Sequence, residues 1–243
     1  MPIEGTPTAH KIPLMAGILE TKDHLIMVDT GFPGSQDFIQ GIKKAGFNVN
    51  DFTHVLNTHA HMDHVGNNRL FVNARVFISQ KDYRFLNEYY STLAESDTPE
   101  LVLKHFFPDS RADFFKVAPH LKSAARKYWH ADIIGEPGAI NWLEETADLP
   151  DFFKAVPTPG HTPGHHVFLI KGRKQSLLIS GDSIPNRALW LRDVYEKAPR
   201  SNSSQFFHSK SIVRQHQGIV MGGHGLPFDT NTMNTIDKER IIL

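Results

Sequence analysis

Cysteine is absent from this 243-residue sequence. That one absence excludes disulfide staples, thiolate metal ligands and cysteine nucleophiles together. It is silent about compartment, because exported proteins also do without cysteine. Net charge is absent as well: 26 Lys and Arg residues balance 26 Asp and Glu residues. Without a long-range field of one sign, nucleic acid is not favoured as a partner. No segment approaches the roughly 18 apolar residues of a membrane span. The opening residues MPIEGTPTAHKIPLMAGILE carry no basic cluster followed by an apolar run of signal length. The expectation is a cytoplasmic chain with no membrane partner. No fixed-period repeat and no low-complexity tract is present either. Hydrophobic residues make up 40% and charged residues 21% of the chain. That balance packs a sizeable core, and the length suits a single domain over residues 1–243.

What the sequence has in excess is histidine, with 15 residues. The stretch THAHMDHVGNN (58–68) sets His59, His61, Asp63 and His64 within six positions. Imidazoles and carboxylates make poor core material, because each one taken out of water must find a partner or lose its charge. Three later stretches share the feature: TPGHTPGHH (158–166) with His161, ISGDS (179–183) with Asp182, and GGHGLPF (222–228) with His224. Each places a ligand-capable side chain just after an apolar run, beside glycines that allow close backbone approach. Divalent ions such as zinc take about four or five such donors, so seven suit two ions rather than one. His59 and His61, two apart on an extended segment, can face one ion, while Asp63 and His64 past the turn can face a second about 3.5–4 Å away.

Apolar runs place these stretches on a scaffold. LMAGILE and HLIMVDTG, joined by TKD, predict a hairpin, and GSQDFIQGIKKAGF predicts a helix stopped by Gly46. THVLNT and ARVFIS predict buried strands. Residues 80–149 form a mostly helical insert rich in aromatics, with no strand of convincing length and with prolines that divide it into short helices. Strands resume with DFFKAVPTPG, HVFLIKG, QSLLISGD and GIVMGGHG, and SSQFFHSKSIVRQHQ predicts a helix between the last two. Strands alternating with helices imply an α/β layer architecture. The aromatics of the insert fit helical core, a substrate lid or a face that pairs two chains as a homodimer.

Taken together, THAHMDH, VDTG, PTPGHTPGH, SGD and GGHG resemble the signature of the metallo-β-lactamase fold superfamily, in its order and over about residues 24–228. The resemblance implies a four-layer αββα sandwich with the metals at one edge between the sheets. It implies a first ion on His59, His61 and His161, and a second on Asp63, His64 and His224, with Asp182 bridging the two. Asp29 would hydrogen-bond a ligand histidine. His165 has no slot in the pattern and is expected to hydrogen-bond locally beside the site, while His166 begins a strand.

Two divalent ions sharing a water present hydroxide at neutral pH and polarise an acyl or phosphoryl oxygen. The ions expected are zinc, with iron and manganese also accepted by this donor set. Asp63 adds a general acid/base role. Among similar families, the bridging aspartate separates this chain from antibiotic-hydrolysing members. The residues beyond His224 are too few for the C-terminal domain of glyoxalase II enzymes. The chain resembles the small members: lactonases, uncharacterised hydrolases, compact phosphodiesterases or nucleases, and persulfide dioxygenases. The lactonases carry a tyrosine shortly after the bridging aspartate, and DSIPNRALW offers none. The leading expectation is hydrolysis of a small ester, lactone or related acyl substrate. The alternatives are phosphodiester cleavage and a mono-iron persulfide dioxygenase on His59, His161 and Asp182. A noncatalytic scaffold is the weakest, because every ligand position is filled.

Overall fold

The computed structural model describes residues 14–130, 132–145, 149–192, 199–237 and 243. The opening residues 1–13 and positions 131 and 146–148 of the expected insert therefore lie outside the described residues. Strands β1 (Gly17–Glu20) and β2 (Leu25–Val28) form the expected hairpin. Its turn is held by the Thr21 hydroxyl, which accepts from the His24 N–H at 2.9 Å. Helix α1 (Gln36–Lys44) begins at Ser35, whose hydroxyl accepts from the Phe38 N–H at 3.3 Å. Asp37 in its first turn and Lys43 and Lys44 in its last suit the helix dipole. Gly46, at φ +91°, ends it in a conformation other residues avoid.

Next come β3 (His54–Leu56), the short helix α2 (Met62–Val65) and β4 (Arg75–Ile78). The insert then supplies α3 (Gln80–Glu95), α4 (Pro99–Phe106) and α5 (Ala118–Tyr128). Pro99 and Pro119 sit in the first turns of α4 and α5, where a missing N–H costs nothing, so the prolines start these helices. The absence of a strand between 80 and 149 is corrected by β5 (Ile140–Trp142), which pairs parallel with β4. Three half-buried residues are too few to display a period in sequence. The second half comprises β6 (Phe153–Pro157), β7 (His166–Lys171), β8 (Ser176–Gly181), α6 (Arg187–Trp190), α7 (Ser203–Val213), β9 (Ile219–Gly222) and β10 (Phe228–Asp229).

The strands form two five-stranded sheets, ordered β1-β2-β3-β4-β5 and β10-β9-β8-β7-β6. Alternation along the strands sorts their side chains into three apolar layers. Ile26, Val28, Leu56 and Phe77 of the first sheet meet Phe168, Leu177, Ile179 and Ile219 of the second. Met27, Val55, Val76 and Ile78 point the other way, onto the insert helices with Leu86, Tyr89, Leu93 and Leu103. Val167, Leu178 and Val220 face outward with Val213 of α7 and Phe228. Helix, sheet, sheet and helix layers follow, as the four-layer sandwich expected from the sequence requires. Among the described residues no helix is long and apolar enough to cross a membrane.

Candidate metal centre

Each motif follows the end of a strand. Asp29 follows β2, His59 follows β3, His161 lies in the β6–β7 turn, Asp182 follows β8 and His224 follows β9. The structure brings all seven expected donor residues to one place between the sheet edges.

His59, His61 and His161 converge, with His61 Nδ1 at 2.9 Å from His59 Nε2 and 3.0 Å from His161 Nε2. The protons can be placed from their partners. Thr58 Oγ1 donates to Asp29 Oδ2 at 2.9 Å, so it accepts from His59 Nδ1–H at 3.0 Å and leaves His59 Nε2 a bare lone pair. His161 Nδ1–H donates to the Pro199 carbonyl at 2.8 Å, so its Nε2 is bare as well. One N–H on His61 cannot serve both neighbours. Lone pairs that face one another in a dry interior are what a tetrahedral ion such as zinc takes up.

Asp63, His64 and His224 form a second group, with Asp63 Oδ2 at 3.9 Å from His64 Nε2 and 3.8 Å from His224 Nε2. His64 Nδ1–H donates to Asp29 Oδ2 at 2.8 Å, which leaves His64 Nε2 buried without a hydrogen-bond partner. Asp182 lies between the groups: its Oδ2 is 3.5 Å from His161 Nε2 and 3.1 Å from His224 Nε2, and its Oδ1 is 3.7 Å from His64 Nε2. That Oδ1 is likewise buried without a hydrogen bond. Orphaned polar atoms of this kind are costly, and a cation between them removes the cost. The backbone makes room for the group, since a Cβ on Gly223 would fall 2.3 Å from Asp182 Oδ1 and 2.9 Å from His64 Cε1. The residues present fit two divalent ions.

The two groups differ in charge. Burial, helped by the neighbouring imidazoles, pushes His59 and His61 well below the ordinary histidine range, and burial also lowers His161. Burial opposes charge on His64 as well, but Asp29, Asp63 and Asp182 outweigh it and hold the ring up at about 10. At His224 burial is outweighed by Asp182 in the same way, to about 9. Burial would raise Asp182, yet His224 and His64 hold its carboxyl well below the usual range.

Asp29 has the expected contact with a ligand-type histidine and more. It accepts from Thr58 N, Thr58 Oγ1 and His64 Nδ1, so it orients both His64 and, through Thr58, His59. His165 hydrogen-bonds locally as expected: its Nε2 accepts from the Asp182 N–H at 3.1 Å. Sequence reasoning passed over Asn57, Asn67, Asn68 and Asp82. Asn67 donates to the Thr30 and Phe32 carbonyls and accepts from Gly34 N, tying the β2–α1 loop to the loop after α2. Asn68 bonds Asn57, Thr30 and the Ile134 carbonyl. The signal for Asn67 and Asn68 was their position straight after HVG, where two amides in a buried loop need backbone partners. Asp82 sits outside every motif, and nothing in the sequence marked it.

A four-layer α/β sandwich with a histidine- and aspartate-rich centre between its sheet edges is the scaffold and donor set of a metal-dependent enzyme. The chain belongs to the metallo-beta-lactamase superfamily, whose family model matches residues 15–242. It is 23% identical over 242 residues to an N-acyl homoserine lactonase of a Bacillus species, covering 88% of this chain and 82% of that one. It is 28% identical to the uncharacterised protein YobT of Bacillus subtilis (strain 168), covering 72% of this chain and 64% of that one. Among solved structures, a quorum-quenching N-acyl homoserine lactone lactonase superposes with a TM-score of 0.60 at 19% identity, over 99% of this chain and 89% of that one. The dizinc quorum-quenching lactonase AidC superposes with a TM-score of 0.56 at 20% identity, over 85% and 70% of the two chains.

Proposed function

We propose that this chain, working as a single domain, hydrolyses a small lactone, ester or related acyl compound at a two-ion centre. The observation that carries the reading is the pair of separate donor groups, His59/His61/His161 and Asp63/His64/His224, with Asp182 reaching toward both. His59, His61 and His161 would hold one ion, Asp63, His64 and His224 the other, and Asp182 would contact both. Zinc suits imidazoles joined to carboxylates, and the dizinc lactonase AidC of the same fold supports that choice. Bound there, the ions would lower the pKa of a water toward neutrality and polarise the acyl oxygen.

The chain's own groups do the rest. Asp29 holds Nδ1 of His64 and, through Thr58, Nδ1 of His59, so that Nε2 of each ring is the atom turned toward the centre. The Phe107 ring packs 5.8 Å from His61 and helps keep water off that side. Asp63 has the most exposed carboxylate of the cluster, at 33%, against 9% for Asp182. In this reading it would take a proton from the attacking water and return it to the oxygen of the departing alcohol as the acyl C–O bond breaks. Lactonases among relatives that span nearly the same length support a lactone over a phosphodiester.

Metal analysis of the purified protein, followed by rates on lactones, esters, thioesters and phosphodiesters before and after chelation, tests the reading. About two zinc ions per chain and lactone or ester hydrolysis that is lost on chelation and regained with zinc are expected. Hydrolysis that survives complete metal removal would sink it.

A further inference from the structure

Asp82 opens α3, in the insert, and none of its neighbours in sequence belongs to the metal centre. Its side chain is nevertheless wholly buried, and both oxygens are engaged by loops that lead into the centre. Oδ2 accepts from the Ala60 N–H at 2.7 Å, and Ala60 lies between His59 and His61. Oδ1 accepts from the Gly164 N–H at 2.9 Å, and Gly164 closes the turn that carries His161. A single carboxylate thus joins the two loops that supply one donor triad. The fit is tight: a Cβ on Gly164 would fall 2.5 Å from Asp82 N and 2.7 Å from Asp82 Cβ. Ser79 fixes the helix end, its hydroxyl accepting from the Asp82 N–H at 3.3 Å and donating to Glu144 at 2.5 Å. Among the described residues no cationic side chain pairs with Asp82, so its burial is costly to stability. Only an acceptor at both oxygens satisfies two N–H groups arriving from different loops.

We propose that Asp82 is a positioning residue that sets the separation of the His59/His61 loop from the His161 loop and thereby the metal affinity of that triad. The inference rests on the two-ion reading above. It assigns the insert a part in building the centre, because the clamp is delivered by α3. Asp82 touches neither substrate nor ion; it acts through the backbone at Ala60 and Gly164.

The test compares full-length wild type, Asp82→Asn and Gly164→Ala. Each is stripped of metal and titrated with zinc against a chromophoric chelator, with a parallel titration by cobalt(II) read in the visible spectrum. Asp82→Asn keeps the shape but turns an N–H donor toward one loop, and Gly164→Ala pushes the clamp apart from the other side. In both, one of the two zinc equivalents should bind roughly 10–100-fold more weakly, the range seen when groups supporting a ligand are removed. The cobalt bands of that equivalent should shift, while circular dichroism stays that of the wild type. Zinc affinities within twofold of wild type in the folded variants overturn the proposal, even where their melting points fall. A wild type that binds two ions while both variants match it overturns this inference alone. A wild type that takes up no divalent ion overturns the two-ion reading as well. If neither variant folds, amide exchange of the wild type decides: Ala60 and Gly164 N–H groups that slow together on zinc loading support the clamp, and amides indifferent to zinc overturn it.

Discussion

At the scale of single residues, Asp29 carries the clearest demand. Three donors converge on its carboxylate, from Thr58 N, Thr58 Oγ1 and His64 Nδ1. Its backbone sits at φ +55°, a left-handed conformation that Asn adopts almost as readily. Asp29→Asn should therefore fold, but its amide sets a donor against a donor and turns His64. Zinc affinity should fall by about 10–100-fold, and an unchanged dissociation constant would refute the argument. Asp82 gives a second residue-scale prediction. Burial, only partly offset by hydrogen bonding from the Thr162 side chain and then from the Ala60 and Gly164 N–H groups, pushes its carboxyl up to about 6 from an ordinary 3.8. Between those values the folded chain holds a proton that the unfolded chain has lost, so stability falls as pH rises from about 4 to about 6, by about 3 kcal/mol in all at ~1.4 kcal/mol per pH unit. Because the metal-free histidines titrate nearby, the quantity to measure is the difference in urea unfolding free energy between wild type and Asp82→Asn. A difference independent of pH from 4 to 7 would count against the raised value. The sequence showed Asp29 through VDTG but not Asp82. A carboxylate that serves two distant loops leaves no local pattern.

At the scale of elements, the four-residue helix α2 presents Asp63 and His64, and its placement depends on a backbone contact. A Cβ on Gly66, just past its end, would fall 2.3 Å from Pro33 N and 2.6 Å from the Gly31 carbonyl. Backbone cannot swing aside as a side chain can. Gly66→Ala should lower stability by about 1–3 kcal/mol and displace the second donor group. Its check is zinc stoichiometry at saturation, where two ions bound with wild-type affinity would show that α2 tolerates the shift. Elements with a strong apolar period were legible: β2, β3, β8 and α1 fall within the expected segments, and the aromatics Tyr89, Tyr90, Phe106 and Phe107 are buried as helical core. Strand β5 and the two-residue β10 were not, because their existence is decided by the edges of β4 and β9 rather than by their own residues. The donor residues could be read because metal chemistry forces unusual residue types into close spacing. Of the supporting asparagines, Asn67 and Asn68 had only their position straight after HVG to mark them, and Asn57 looks like any residue at the end of a strand.

At the scale of the whole molecule, the centre joins two sheets whose facing surfaces are otherwise packed mainly through apolar side chains. His59, His61, Asp63 and His64 belong to the connections of the first sheet, and His161, Asp182 and His224 to those of the second. Away from this edge the sheets are held by residues such as Phe77 and Phe168, both wholly buried. Truncating either to alanine costs about 3–5 kcal/mol wherever metal is present or absent. The site edge behaves differently. Without ions it gathers the orphaned His64 Nε2 and Asp182 Oδ1 and the crowded triad nitrogens. An ion that binds only the folded arrangement stabilises by RT ln(1 + [Zn]/Kd), about 2.7 kcal/mol at a free concentration one hundred times the dissociation constant. The thermal midpoint should rise steadily with free zinc, and amide exchange should slow on both sides of the seam, near Thr58 and near Asp182, rather than on one. A midpoint that stays level while zinc is demonstrably bound would mean that the sheets are already locked together by the apolar layer, and that the centre is a passenger on the fold instead of a clasp across it.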